Sequence, residues 1–177
     1  EAIAKAGENS PEKVAFVLRH TISNMNSKTA GAFKSHLISG LGKIGQEHLS
    51  VAQDAVPLLF GLLIDTDSML VRGSAARAFG DMAMYQGDIL PTDVLDLMKE
   101  LLRRETNVYV LMSLMRAFRH IPMPDMEFAN AVCGALAAWE KSFDNPREKE
   151  EIVDALFAVA SKFQPLRAAV KPWLERY

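Results

Sequence analysis

One cysteine, Cys133, is all that the 177 residues contain. No internal disulfide can form, and neither a CxxC pair nor a cysteine-based zinc site is available. Cys133 therefore reads as a small apolar residue in a helix core. A lone cysteine also fits a reducing intracellular compartment, so a cytoplasmic location is expected. An excess of charge of one sign is missing too: 20 Lys and Arg face 22 Asp and Glu, for a net charge of −2. Proteins that bind nucleic acid through bulk charge are usually strongly basic, which leaves only a local basic patch for such a role. Long apolar runs are absent. The stretches Ala55 to Ile64 and Ala131 to Trp139 fall short of the roughly 18 residues that span a bilayer, so no membrane partner is expected.

Catalytic patterns are equally scarce. His20, His36, His48 and His120 are dispersed, with no HExxH spacing, and no nucleophile elbow is present. The run Gly40-Leu-Gly42-Lys-Ile-Gly45 falls inside or at the end of a helix rather than after a strand, which is the wrong context for a phosphate loop. No catalytic residue, metal or cofactor is expected. No stretch alternates with period two, so no strands are expected either.

What is present is apolar spacing of helical period. With 49% hydrophobic residues the chain can bury a one-domain core. Ser10-Pro11 opens a helix with the stripe Val14, Leu18, Ile22 and Met25. After a turn over Asn26 to Ala30, a second helix runs from Gly31 to Gly45 with Phe33, Leu37, Leu41 and Ile44 inward. Helix pairs recur at about 50–86, 92–121 and 125–163, with Ser50, Thr92, Asp125 and Asn145 as caps and Glu148 as a reciprocal capping residue. Pro57 should kink or restart its helix. Glu1 to Gly7 and residues 165–177 read as partial units. The chain opens on Glu1 rather than Met, so an excerpt of a longer chain is expected.

One register aligns these pairs at a period of 38 to 39 residues. It gives a small column of Gly40, Ala78, Ala117 and Ala155, then a large one of Leu41, Phe79, Phe118 and Leu156. Further columns are Phe33, Val71 and Val110; Leu37, Ala75, Leu114 and Ile152; and Ile44, Met82, Ile121 and Val159. The first helices align through Leu59, Met98 and Leu136. Pro172 falls three periods after Pro57. A helix pair of this length cannot hide its apolar face alone, so neighbouring pairs must stack. The small column lets second helices approach closely.

The acidic turn Asp65-Thr66-Asp67 followed by Val71-Arg72, within the stretch Ala55 to Tyr85, resembles a HEAT repeat, and the period is close to the ~40 residues of such units. The resemblance implies an all-α, right-handed superhelix of the HEAT and armadillo type, with about four helix pairs. It also implies that second helices line a concave surface that grips proteins or peptides. Asp65, Asp67, Val71 and Arg72 carry the repeat signature, and the resemblance gives Arg72 a structural pairing with Asp65 or Asp67 across the turn. Lys34, at the equivalent place in the first pair, lacks an acid nearby and is a freer candidate for binding.

Positions on the second helices opposite the apolar columns read His36, Ser74, Ser113 and Glu151; Ser39, Arg77, Arg116 and Asp154; and Lys43, Asp81, His120 and Ala158. The middle of this face is basic, with Arg119 added, and its last copy is acidic. The expected function is a non-enzymatic protein-binding scaffold whose groove takes an acidic peptide around Lys34, His36, Arg77, Arg116, Arg119 and His120. Solvation alone explains such a charged face as well. The alternatives are a nucleic-acid-binding module similar to the HEAT-like DNA glycosylases, and an architectural spacer. Contact with other parts of a longer parent chain is a further expectation.

Overall fold

Side-chain caps set most of the helix starts. Asn26 accepts from the amides of Lys28 and Thr29, Ser68 from Val71, Asn107 from Tyr109 and Val110, Asp125 from Phe128, and Asn145 from Arg147. The computed structural model describes residues 10–65 and 67–174, with backbone alone for 172–174. The stretches expected as partial units at Glu1 to Gly7 and beyond 174 lie outside the described residues, as does Thr66. Among the described residues there are nine helices and no strand: α1 (Pro11–Asn24), α2 (Ser27–Glu47), α3 (Leu49–Leu63), α4 (Met69–Gln86), α5 (Thr92–Arg104), α6 (Val108–His120), α7 (Met126–Glu140), α8 (Pro146–Ala160) and α9 (Gln164–Leu174). None of them is long and apolar enough to cross a membrane.

The helices form two layers. The second helices α2, α4, α6 and α8 pack side by side in chain order, and α1, α3, α5 and α7 each pack on the second helix that follows. The apolar columns point between the layers: Leu41, Phe79, Phe118 and Leu156 are buried, as are Leu59, Met98 and Leu136. Ala30 leaves helical geometry (φ −125°, ψ 20°), so the main run of α2 begins at Gly31 as its spacing implies.

Second helices touch through residues with almost no side chain. A Cβ added to Gly42 would lie 2.9 Å from the Cα of Ala78, and one added to Gly80 would lie 2.6 Å from the Cα of Ala117. The small column therefore works as half of a seam, with Gly42 and Gly80 as the other half. Side chains also bind free carbonyls at helix ends across pairs. Gln86 donates to the Gln46 carbonyl at 2.8 Å, Trp139 Nε1 to Leu102 at 2.6 Å, and Lys162 Nζ to Ile121 at 2.6 Å. The sequence period reappears in space: Ser27 bonds Asp65, and Asn107 meets Met69, each pair 38 residues apart.

Several expectations change. Phe33 is 61% exposed while Val71 and Val110 in its column are fully buried. Pro57 sits inside a continuous α3; it faces solvent next to exposed Gln53, so the carbonyl its ring leaves unbonded can be hydrated. Ser50 and Thr92 do not cap: α3 begins one residue before Ser50, and Pro91 holds the cap position of α5. Glu148 bonds Asn145 through its backbone amide, which donates to the Asn145 carbonyl at 3.1 Å, rather than through a carboxylate that caps the Asn145 amide.

Lys34 is not a free surface cation. It is 5% exposed, and its ammonium donates to the Met25 carbonyl at 3.1 Å and to Ser27 Oγ at 2.9 Å. Its flexible stem reaches back to the end of α1, where the C-terminal carbonyls attract a cation. Arg72 does the same in the next pair, donating to the Asp65 carbonyl at 3.0 Å. Its ion pair is with Glu105 of the following pair at 3.2 Å, rather than with the Asp65 or Asp67 carboxylate. Asp65 Oδ1 instead accepts from the Asp67 amide, closing the turn. The polar contacts Lys34–Ser27–Asp65 and Arg72–Glu105 thus run through three successive turns.

Candidate functional site

The open face of the second helices carries its charges in the middle of the layer. Arg77 and Asp81 lie one turn apart on α4, and Arg116, Arg119 and His120 lie on α6. Between them is a cavity of about 300 Å³ lined by these five residues with Gly80 and Ala117. The absence of a side chain at Gly80 is what brings the two backbones together at its floor. His36 is exposed and its Nδ1 sits 2.7 Å from the Ala32 carbonyl of its own helix, outside this cavity. Ser74 and Ser113, expected on the same face, are buried. The tight seam swallows them, and Ser113 packs towards Gly73 of the preceding second helix. Of the predicted groove residues, the fold brings Arg77, Arg116, Arg119 and His120 together and leaves Lys34 and His36 elsewhere.

The basic middle and the acidic end of the layer neutralise each other. Arg116 donates to Glu151 at 2.6 Å, and Arg119 to Glu151 at 3.2 Å and to Asp154 at 2.9 Å. The Arg116–Glu151 and Arg119–Asp154 separations of 35 residues are one period less a helical turn, a stagger that sequence columns do not display. The Arg116 hydrogen bond holds the Glu151 carboxyl below the ordinary glutamate range, and the same bond raises Arg116. With its folded pKa below the unfolded one, Glu151 adds stability above the ordinary carboxylate range. That contribution is lost as pH falls through the folded pKa. Glu151→Gln should flatten the acid limb of a melting-temperature profile, leaving the alkaline limb unchanged; an unaltered acid limb would exclude the pair as its source.

Arg77 is different. Its Nε is shielded from solvent and has no hydrogen-bond partner, and among the described residues its guanidinium makes no ion pair. Asp81 is its electrostatic neighbour, and burial raises the Asp81 carboxyl against the attraction of Arg77, His120 and Lys43. Burial and then Arg119 lower the His120 imidazole, against the pull of Asp81. The cavity therefore holds one guanidinium without an ion pair among the described residues, its Nε unsatisfied, beside two that are already paired.

A larger groove, about 740 Å³, lies between α5 and α7 in the other layer. Its lining includes the small residues Ala131, Gly134, Ala135 and Ala138, and its cations Lys99 and Arg103 pair with Asp96 and Glu100. Size alone favours it; unsatisfied chemistry favours the smaller cavity. Burial pushes the Cys133 thiol up to about 11, away from reactivity. No group of three or more His, Cys, Asp or Glu placed to hold a metal occurs among the described residues. No protein-family model, curated protein or solved structure matches the chain.

Proposed function

We propose that this chain is a non-enzymatic helical-repeat scaffold of the HEAT and armadillo type, which captures an acidic segment of a partner protein on the face of its second helices. The observation that carries this reading is Arg77, whose Nε has no hydrogen-bond partner and whose electrostatic neighbour is Asp81, at a cavity between α4 and α6. The shielded Nε is closed to a ligand, so an incoming carboxylate would engage the terminal nitrogens of this guanidinium, and charge-assisted bonds of that kind are among the stronger ones. Arg116 and Arg119 act as positioned walls, since Glu151 and Asp154 already balance them. The same balance weakens the case for a polyanion such as nucleic acid, which needs uncompensated cations along its length.

Arg77→Glu should remove capture of acidic peptides, with affinity falling tenfold or more and far-UV circular dichroism unchanged. A fluorescence-anisotropy titration with a Glu-rich peptide reads the loss. Equal binding by the wild type and the variant would exclude the cavity. Arg116→Glu alone repels Glu151, so its proper control is the swap with Glu151→Arg, which restores the ion pair.

A further inference from the structure

We propose that Met69 and Met84 are a modification site for peroxides, and that their sulfoxides bind α4 more firmly to α6 and α2. The two residues sit at opposite ends of α4, and each is 48% exposed. Each turns its sulfur to a carboxamide at the end of a neighbouring second helix, 38 residues away. Asn107 Nδ2 donates to Met69 Sδ at 2.9 Å, and Gln46 Nε2 donates to Met84 Sδ at 3.8 Å. The other role of Asn107 fixes its orientation. Its Oδ1 caps α6 by accepting from the Tyr109 and Val110 amides, which leaves the NH2 group to face the sulfur. A thioether is a weak acceptor, so both carboxamides are held less firmly than an oxygen would hold them. Met126 separates this arrangement from exposure alone. It is 50% exposed at the start of α7, and its sulfur has no hydrogen bond among the described residues.

The chemistry needs only the peroxide. A sulfur lone pair attacks one oxygen of hydrogen peroxide, the O–O bond breaks and an S–O bond forms. Sulfur gives up two electrons, and the departing hydroxide takes the remaining proton and leaves as water. A strong acceptor then stands where a weak one stood. At Met84 the 3.8 Å gap has room for the added oxygen to meet the Gln46 amide. At Met69 the gap is closed, so the flexible side chain swings to seat the oxygen where the sulfur now lies. Sulfoxidation disrupts a core by making an apolar group polar, and at these half-exposed positions water solvates the far side of that group. The thiol does not compete. Thiolate is the reactive form, and burial pushes Cys133 up to about 11.

Hydrogen peroxide added to the full chain should convert Met69 and Met84 ahead of the fully buried Met82, Met98 and Met115, as read by peptide mapping with mass spectrometry. With both sulfoxides formed, the melting temperature should rise by about 2–4 °C, the shift that one ordinary hydrogen bond gives in a chain of this size. A methionine sulfoxide reductase supplied with a dithiol should reverse the rise, the oxygen leaving as water and the dithiol becoming a disulfide. The double variant Met69→Leu with Met84→Leu keeps the apolar bulk without the sulfur, and peroxide should leave its melting temperature unmoved. Met126→Leu should respond as the wild type does. A melting temperature that stays level or falls once mapping shows both sulfoxides overturns the proposal. So does a rise that persists in the double leucine variant or disappears in Met126→Leu. Failure of Met69 and Met84 to oxidise ahead of the buried methionines overturns it as well.

Discussion

Gly80→Leu should destabilise the protein by about 3 kcal/mol, at the upper end of ordinary overpacking costs. The first carbon of any side chain there falls 2.6 Å from the Ala117 Cα and 3.0 Å from its Cβ. A backbone atom cannot rotate away, so the two second helices must separate, which loosens the packing around the buried Phe79 and Phe118. Helix propensity alone points the other way, because replacing a mid-helix glycine by alanine gains roughly 1 kcal/mol. Gly61→Ala and Gly134→Ala isolate that gain, since nothing lies within 4 Å of a Cβ at either position. Gly80→Ala should therefore lower the melting temperature where the two control substitutions hold or raise it. For a chain of this size, 3 kcal/mol corresponds to a drop of roughly 6–12 °C for the leucine variant. A Gly80→Ala protein as stable as Gly61→Ala would show that the seam is not close-packed.

Glu105→Ala should cost about 3 kcal/mol as well, for electrostatic rather than steric reasons. The Glu105 side chain is 9% exposed and pairs with Arg72, itself only 17% exposed. The same carboxylate accepts from the amides of Thr106 and Asn107 at 3.0 and 2.9 Å. Truncation leaves a shielded guanidinium with the Asp65 carbonyl as its remaining acceptor, and orphans two amides ahead of α6. Glu105→Gln keeps an acceptor for those amides and should recover part of the loss. Glu100→Ala is the surface control: its partners Arg103 and Arg104 are well exposed, and pairs of that kind contribute about 0–1 kcal/mol. Urea titration separates the variants through the midpoint at constant slope. If Glu105→Ala and Glu100→Ala shift the midpoint equally, the polar contacts through the turns do not hold the pairs together.

The period and its columns were legible because burial repeats with the chain. Leu41, Phe79, Phe118 and Leu156 needed no structure to be grouped, and neither did the start at Gly31 nor the caps Asp125 and Asn145. What stayed hidden depends on neighbours. Phe33 belongs to an apolar column, but a column does not reveal whether a preceding helix is there to cover it. Lys34 looked free because its acceptors are a backbone carbonyl and a serine hydroxyl, neither of which marks a cation's partner in a sequence. Glu105 lay in a turn and resembled any solvated acid. Arg116 and Glu151 sit in different columns, and only the one-turn stagger of adjacent helices brings them together. Arg77 was legible as a candidate; its missing partner was not.

The carbonyl contacts between pairs have a mechanical side. Gln86 ties the tail of α4 to the tail of α2, and Lys162 ties the tail of α8 to the tail of α6. Among the described residues no such bond joins the tails of α4 and α6; there Gly87, at φ +59°, opens a cavity of about 390 Å³ that reaches Pro124. A layer latched on both sides and unlatched at its centre concentrates bending strain on the central seam. That seam also carries the Arg77 cavity, so a load that flexes the chain would change the width of the opening a ligand must enter.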